Sequence, residues 1–378
     1  MSSLSLDLLE RLIGFETVSS ESNLSLIDFV QDFLVSRGFR VTRLQDPEDP
    51  KAGLYAEIGP SGHGMLLSAH TDVVPVVGQD WTRPPFKLTQ EGVKLFGRGT
   101  TDMKGFLAEM LALADRVSRA PLKEPLKLAI SYDEEVACRG ISRMWERLAP
   151  LLGMPRLALI GEPTEMGVVT GHKGKRAYRA EIAGETGHSS LAPNFASALL
   201  AANDLVTELR NLQTELARSG PRDEGYDIPY STVHVGQMTS GTALNIVPDQ
   251  AEVIFEFRHL AGDDPDGIAQ KIMQAAKRVE TSYDGRATVT VTQTSAYPGL
   301  DTDPQSPAAQ TILSCAGTKF GKVAYGTEAG FFARHGIPAL VCGPGSMAGQ
   351  GHKADEYIER EQLTRCAVML DRLLEQIT

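Results

Sequence analysis

Five short stretches hold most of the ionisable residues that could do chemistry in this chain. SAHTD sets His70 and Asp72 two residues apart, and GRGTTDMKG (97–105) presents Asp102 from a glycine-rich stretch. SYDEE (131–135) ends in Asp133, Glu134 and Glu135, GEPT (161–164) carries Glu162, and GQGHK (349–353) supplies His352. Taken singly each is a weak signal, because an HxD pair or a DEE triplet is more often a solvated turn. Together they offer two imidazoles and several carboxylates, a donor set that suits Zn²⁺ or a similar borderline cation. The set is larger than one tetrahedral ion needs, and fits two ions sharing a bridging carboxylate. Two such ions would produce a hydroxide nucleophile at neutral pH and polarise a carbonyl. A remaining carboxylate would take the water's proton and pass it to a leaving amine. The expected reaction class is metal-assisted amide hydrolysis.

These residues need strands and loops to bring them together. Short apolar runs at 53–58, 65–70, 126–132 and 157–163 read as strands, with helical spacing at 4–15, 25–35, 106–117 and 141–148. Continuous apolar runs between helices indicate a sheet covered on both faces, hence an α/β architecture with a central mixed, mostly parallel sheet. In such sheets ligands bind at the carboxyl ends of the strands, which is where the candidate residues fall. The same texture returns after residue 296, with helices expected at 310–320, 329–335 and 361–377 and a strand at 338–343. Between them the pattern changes to strand 175–185, helix 196–216, strands 231–238 and 251–259, helix 265–282 and strand 287–293. That β-α-β-β-α-β order is the ferredoxin-like unit. The expected division is a catalytic domain made of 1–174 and 296–378, with 175–295 inserted as a second domain that could close over the rim as a lid.

Composition narrows the partners. With 37 basic and 48 acidic side chains the formal charge is −11, and no long Lys/Arg cluster offers a phosphate-binding face, so nucleic acid is not an expected partner. No run of ~18 uncharged apolar residues occurs, and the first apolar stretch carries Asp7 and Glu10 without a basic lead-in, so neither a membrane span nor a secretory signal is expected. The four cysteines (Cys138, Cys315, Cys342, Cys366) lack CxxC spacing and read as reduced thiols of a cytoplasmic protein.

These motifs, in this order and over nearly the whole chain, resemble the dinuclear zinc amidohydrolases that include acetylornithine deacetylase, succinyl-diaminopimelate desuccinylase, aminoacylase and glutamate carboxypeptidase. The resemblance implies that His70 and Glu162 serve the first metal, Glu135 and His352 the second, and that Asp102 bridges both. It makes Glu134 the general base and Asp72 the carboxylate that orients His70. It also implies a cis peptide between Asp102 and Met103. The metals would be two divalent ions, zinc first and cobalt second. In the insert, His188 of GETGHSS would cross the interface of a homodimer and donate to the tetrahedral oxyanion, while Asn245 and Arg258 match substrate-contacting positions.

Within the family the blocks YGTEAGFF (325–332), VCGPGSMAGQGHKADEYI (341–358) and HSSLAP (188–193) look like the acetylornithine deacetylase branch. Glu328 would meet the ammonium of an ornithine side chain and oppose a succinyl carboxylate. One departure is the stretch SMAGQGH, which keeps Gln350 but lacks the acidic residue common there. The expected reaction is hydrolysis of N²-acetyl-L-ornithine to ornithine and acetate, as in arginine biosynthesis, by hydroxide attack with Glu134 as base. The alternatives are another N-acyl-amino-acid hydrolase (desuccinylase, acetylcitrulline deacetylase, aminoacylase), a non-catalytic binding homologue, and a cysteine hydrolase using Cys138 or Cys342.

Overall fold

The computed structural model describes residues 2–378, and its backbone contacts divide the chain into two units. The first comprises residues through Gly171, Leu300–Lys322 and Thr327–Thr378; the second comprises His172–Gly299 and Val323–Gly326.

The first unit is built on a nine-stranded mixed sheet. At its centre Met65–His70 lies parallel to both Leu126–Ser131 and Leu157–Ile160, and Ala339–Val341 lies parallel to Leu157–Ile160 on the far side. Ala52–Ile58 pairs antiparallel with both Arg40–Gln45 and Leu126–Ser131, and Val341 pairs antiparallel with Val169. Every residue of Met65–His70 and Leu126–Ser131 is buried, as a strand covered on both faces requires. The main core collects residues of helices Ser3–Ile13, Leu24–Val35, Lys104–Val117 and Arg360–Glu375 with those of the strands. Helix Lys104–Val117 starts immediately after the Asp102 loop, and Gly105 lets that loop fold onto it: a Cβ there would sit 2.4 Å from the Thr100 carbonyl oxygen.

Apart from this sheet, Tyr357–Glu359, Lys94–Phe96 and Thr89–Glu91 form a small antiparallel sheet, with Tyr357 opposite Phe96. One expected helix is displaced. Residues 310–320 read as helical, but the helix is Pro307–Ala316, and Phe320–Val323 is a strand. Ser306 caps its start by accepting from the Ala309 N–H, and Gly317 ends it in the left-handed region at φ 68°.

The second unit is a four-stranded antiparallel sheet in the order Thr232–Ser240, Gln250–His259, Gly174–Ala183, Thr288–Tyr297. Burial alternates along Gln250–His259, which marks a sheet with one face on a core. That core receives Ala198, Ala201, Leu205, Leu209, Leu212 and Leu216 from helix Ala198–Ser219, spaced three or four apart, and Ile268, Ile272 and Val279 from Pro265–Ser282.

Candidate metal centre

Three parallel strands deliver the first residues to one rim. His70 ends Met65–His70, Glu134 and Glu135 follow Leu126–Ser131, and Glu162 follows Leu157–Ile160. Asp102 enters from the loop before helix Lys104–Val117, and His352 from the loop after Met347–Gln350. The Asp102–Met103 peptide is cis.

Two triads of donor atoms form there. His70, Asp102 and Glu162 offer atoms within 4.8 Å of one another, and so do Asp102, Glu135 and His352. Asp102 belongs to both. Its Oδ1 stands 3.2 Å from His70 Nε2, and its Oδ2 stands 3.4 Å from His352 Nε2. His352 Nε2 is also 2.9 Å from Glu135 Oε2. One carboxylate therefore turns one oxygen to each imidazole, the arrangement a bridging ligand needs.

The second nitrogen of His70 sets its orientation. His70 Nδ1 donates to the Asp72 backbone carbonyl at 3.0 Å, closer than the 3.4 Å to Asp72 Oδ1, so Nε2 is left to face Asp102 and Glu162. The Asp72 carboxylate has further work: it accepts N–H bonds from Glu134 at 3.0 Å and Glu135 at 3.3 Å, and a hydroxyl bond from Ser19 at 2.7 Å. Below this turn Asp133 is fully buried and paired with Lys51 at 2.5 Å and Arg139 at 3.2 Å.

Electrostatics agree with a cation site. Burial, then the neighbouring Asp102, pushes the Glu135 carboxyl up to about 8. Burial and Glu162 push Glu134 well above the carboxylate range, and burial raises Glu162 too. Hydrogen bonds to Asp102 and Glu135 lift His352 to about 10. Burial disfavours a charged His70, yet Glu162, Asp102 and Asp72 together raise it. Asp102, although buried, is held low by both imidazoles. Carboxylates crowded together resist ionising, and divalent cations among them reverse that cost. Glu135 Oε1 and Glu162 Oε1 are buried without a hydrogen-bond partner, so the donor set fits two metal ions. Glu134 lies outside both triads.

The other expected site residues are spread over both units. Glu328 is in the first unit, 1% exposed, at the start of helix Ala329–Arg334. It makes no capping hydrogen bond, and its Oε1 is buried without a partner. Burial, together with Glu162 and Asp72, carries its carboxyl up to about 8 against the opposing pulls of Ser131 and His70. His188 and Asn245 come together in the second unit, where Gly187–His188 pairs with Ile246–Val247 and the Ser189 N–H donates to the Asn245 carbonyl at 3.1 Å. The exposed His188 ring accepts the Ser190 N–H at Nδ1, which puts the proton of the neutral ring on Nε2. Arg258 is engaged within the second unit: Nε donates to Glu256 at 2.9 Å and Nη1 to the Ala324 carbonyl at 3.3 Å.

The thiols do not resemble nucleophiles. All four cysteines are buried. Burial and then Glu134 hold the Cys138 thiol well above its ordinary range, with Sγ 3.5 Å from Glu134 Oε1. Burial lifts Cys342 to about 12. Neither supplies thiolate near neutral pH.

Sequence reasoning passed over the charged pair Arg98 and Glu356, both 1% exposed and 2.7 Å apart beside the Asp102 loop. Their signal was available: an arginine inside the glycine-rich GRGTTD, and a glutamate four residues after His352. No helix among the described residues is long and apolar enough to cross a membrane.

Comparison with known proteins agrees with this geometry. The chain is 32% identical over 373 residues to an acetylornithine deacetylase of Myxococcus xanthus, covering 96% of this chain and 95% of the relative. It is 33% identical to one of Klebsiella pneumoniae, covering 91% and 88%. A family M20 metallo-carboxypeptidase from Sulfolobus solfataricus shares its fold with a TM-score of 0.83, at 19% identity and over 99% of both chains. Residues 66–376 match peptidase family M20/M25/M40. With the match running through every metal-ligand candidate on the rim, the chain belongs to that family of metal-dependent hydrolases.

Proposed function

We propose that this protein hydrolyses the amide of N²-acetyl-L-ornithine, releasing L-ornithine and acetate, as a step of arginine biosynthesis. The observation that carries the mechanism is the shared Asp102, with one oxygen toward His70 and the other toward His352, and Glu134 outside both triads. His70, Glu162, Asp102, Glu135 and His352 would hold two divalent ions, zinc first with cobalt as the alternative. When bound, such ions activate water and polarise the amide carbonyl. Glu134 takes the water's proton and delivers it to the leaving nitrogen, a role suited to a carboxyl that burial and Glu162 make more basic than an ordinary glutamate. Asp72 fixes the His70 ring and the backbone of the Glu134 turn. From the second unit, His188 Nε2–H is the proposed oxyanion donor, acting across a homodimer, and Asn245 and Arg258 are proposed substrate contacts.

The substrate reading rests on the M. xanthus and K. pneumoniae relatives and on Glu328, a buried carboxyl whose free oxygen suits the ornithine ammonium. A second reading has an observation of its own. Burial raises the Glu328 carboxyl to about 8, which favours its neutral form and would suit a neutral ureido group, as in N-acetyl-citrulline. The test is steady-state hydrolysis by metal-loaded protein of N²-acetyl-L-ornithine, N-acetyl-citrulline, N-succinyl-diaminopimelate and N-acetyl-methionine, each with and without chelator. A chelator-sensitive preference for acetylornithine supports the proposal. Preference for another substrate keeps the mechanism and rejects the substrate.

A further inference from the structure

Glu356 makes contacts that its burial alone does not require. Its Oε1 accepts the N–H of Thr101 at 2.8 Å and of Asp102 at 3.2 Å. Its Oε2 accepts the Gly99 N–H at 3.0 Å and Arg98 Nη1 at 2.7 Å. All four donors belong to the loop that carries Asp102, whereas Glu356 belongs to the loop that carries His352. Arg98 reaches the same way, donating to the Lys353 carbonyl at 3.2 Å and to Gln79 Oε1 at 2.5 Å. Gln79 Nε2 in turn donates to the His352 carbonyl at 3.0 Å, at a residue whose φ of 61° is rare outside glycine. The pairing of Tyr357 with Phe96 anchors both loops at their roots.

A buried ion pair is weak evidence for stability, because well-packed apolar residues in its place are often as stable or more so. What this pair determines is the position of Asp102 relative to His352. We propose that Glu356 is a positioning residue for the second metal ion: with Arg98 and Gln79 it holds Asp102 and His352 at the spacing the second triad needs. The first triad depends on it less, since His70 and Glu162 come from strand ends in the central sheet. The inference rests on the two-ion reading of the site.

The test is metal binding rather than turnover. Metal-free full-length protein is titrated with Co²⁺ by visible absorption and with Zn²⁺ by calorimetry, as wild type, Glu356→Gln and Gln79→Ala. Wild type is expected to bind in two steps. In Glu356→Gln the second step should weaken by ~10–100-fold, the range for partners that orient metal ligands, with the first step nearly unchanged. Gln79→Ala, at a partly exposed side chain, should weaken the second step alone by a smaller factor, and it decides the matter if Glu356→Gln fails to fold. Excess Co²⁺ should restore turnover in both variants. Equal weakening of both steps, or no change in either, overturns the proposal while leaving the two-ion reading intact. A single step in wild type overturns the two-ion reading and this inference with it.

Discussion

The carboxylate of Asp72 accepts the backbone N–H of Glu134 at 3.0 Å. The residue two positions after His70 thus also carries the turn that presents the proposed base, and a change there reaches both the metal and the proton transfer.

Asp72→Asn should therefore weaken metal binding and lower kcat together. Its amide nitrogen would face at least one N–H of Glu134 or Glu135 instead of accepting from it. Metal affinity is expected to fall by ~10–100-fold, with kcat down by ~100-fold or more even at saturating metal. Calorimetric metal binding beside steady-state rates checks this. Normal kcat at saturation would confine Asp72 to the His70 side.

Glu134→Gln should separate those two effects. Because Glu134 lies outside both triads, metal content and melting temperature should stay close to wild type. The rate should fall by ~10²–10⁴-fold, the usual contribution of a positioned general base. Metal analysis of the purified variant beside its kcat is sufficient. Loss of metal would make Glu134 a ligand.

Glu328→Gln distinguishes the two substrate readings. If the carboxylate meets an ornithine ammonium, KM for N²-acetyl-L-ornithine should rise by ~10-fold or more while the rate on N-acetyl-methionine stays unchanged, because only a cationic side chain loses a charged partner. If a neutral side chain sits there, Gln should be tolerated on N-acetyl-citrulline.

Acid stability should depend on Asp46. Burial pushes its carboxyl up, but hydrogen bonds from Tyr132, from the Asp49 and Glu48 N–H groups and from Arg143 outweigh it and hold it down at about 2. An ordinary aspartate titrates near 3.9, so the unfolded chain takes up this proton first as pH falls. The stabilisation is complete above about pH 4 and is lost as pH drops toward about 2. Asp46→Ala should cost about 2–4 kcal/mol at pH 7. In urea melts the gap between wild type and variant should narrow as the pH is lowered through that window. A gap independent of pH would refute the assignment.

The rim could be read from the sequence because its strands are short, apolar and followed at once by ionisable residues. MLLSAH and LALIGEP announce both the strand and the donor at its end. What escaped was pairing at long range. Lys51 bonding to Asp133, and Glu356 bonding to Gly99, join residues far apart in the chain, and no local pattern marks them. The strand Val168–His172 escaped for a different reason: it is short and carries Gly171 and His172 where a strand pattern needs apolar residues. The helix misplaced at 310–320 shows local chemistry overriding periodicity, since Ser306-Pro307 and Gly317 mark its true ends.

The place of Ala339–Val341 has a consequence for how the protein is made. Leu340 pairs with Leu159, and Val341 pairs with both Ile160 and Val169. During synthesis the ribosome must therefore release Leu157–Ile160 long before its neighbour exists, with the whole of His172–Gly299 emerging in between. At ~5–20 residues per second the edge stays open for on the order of ten to forty seconds. An apolar strand edge left unpaired for that long is a template for aggregation. A chain truncated before residue 339 would keep that edge permanently, and translation pauses or nonsense products are expected to appear as chaperone clients or inclusion bodies rather than as soluble fragments.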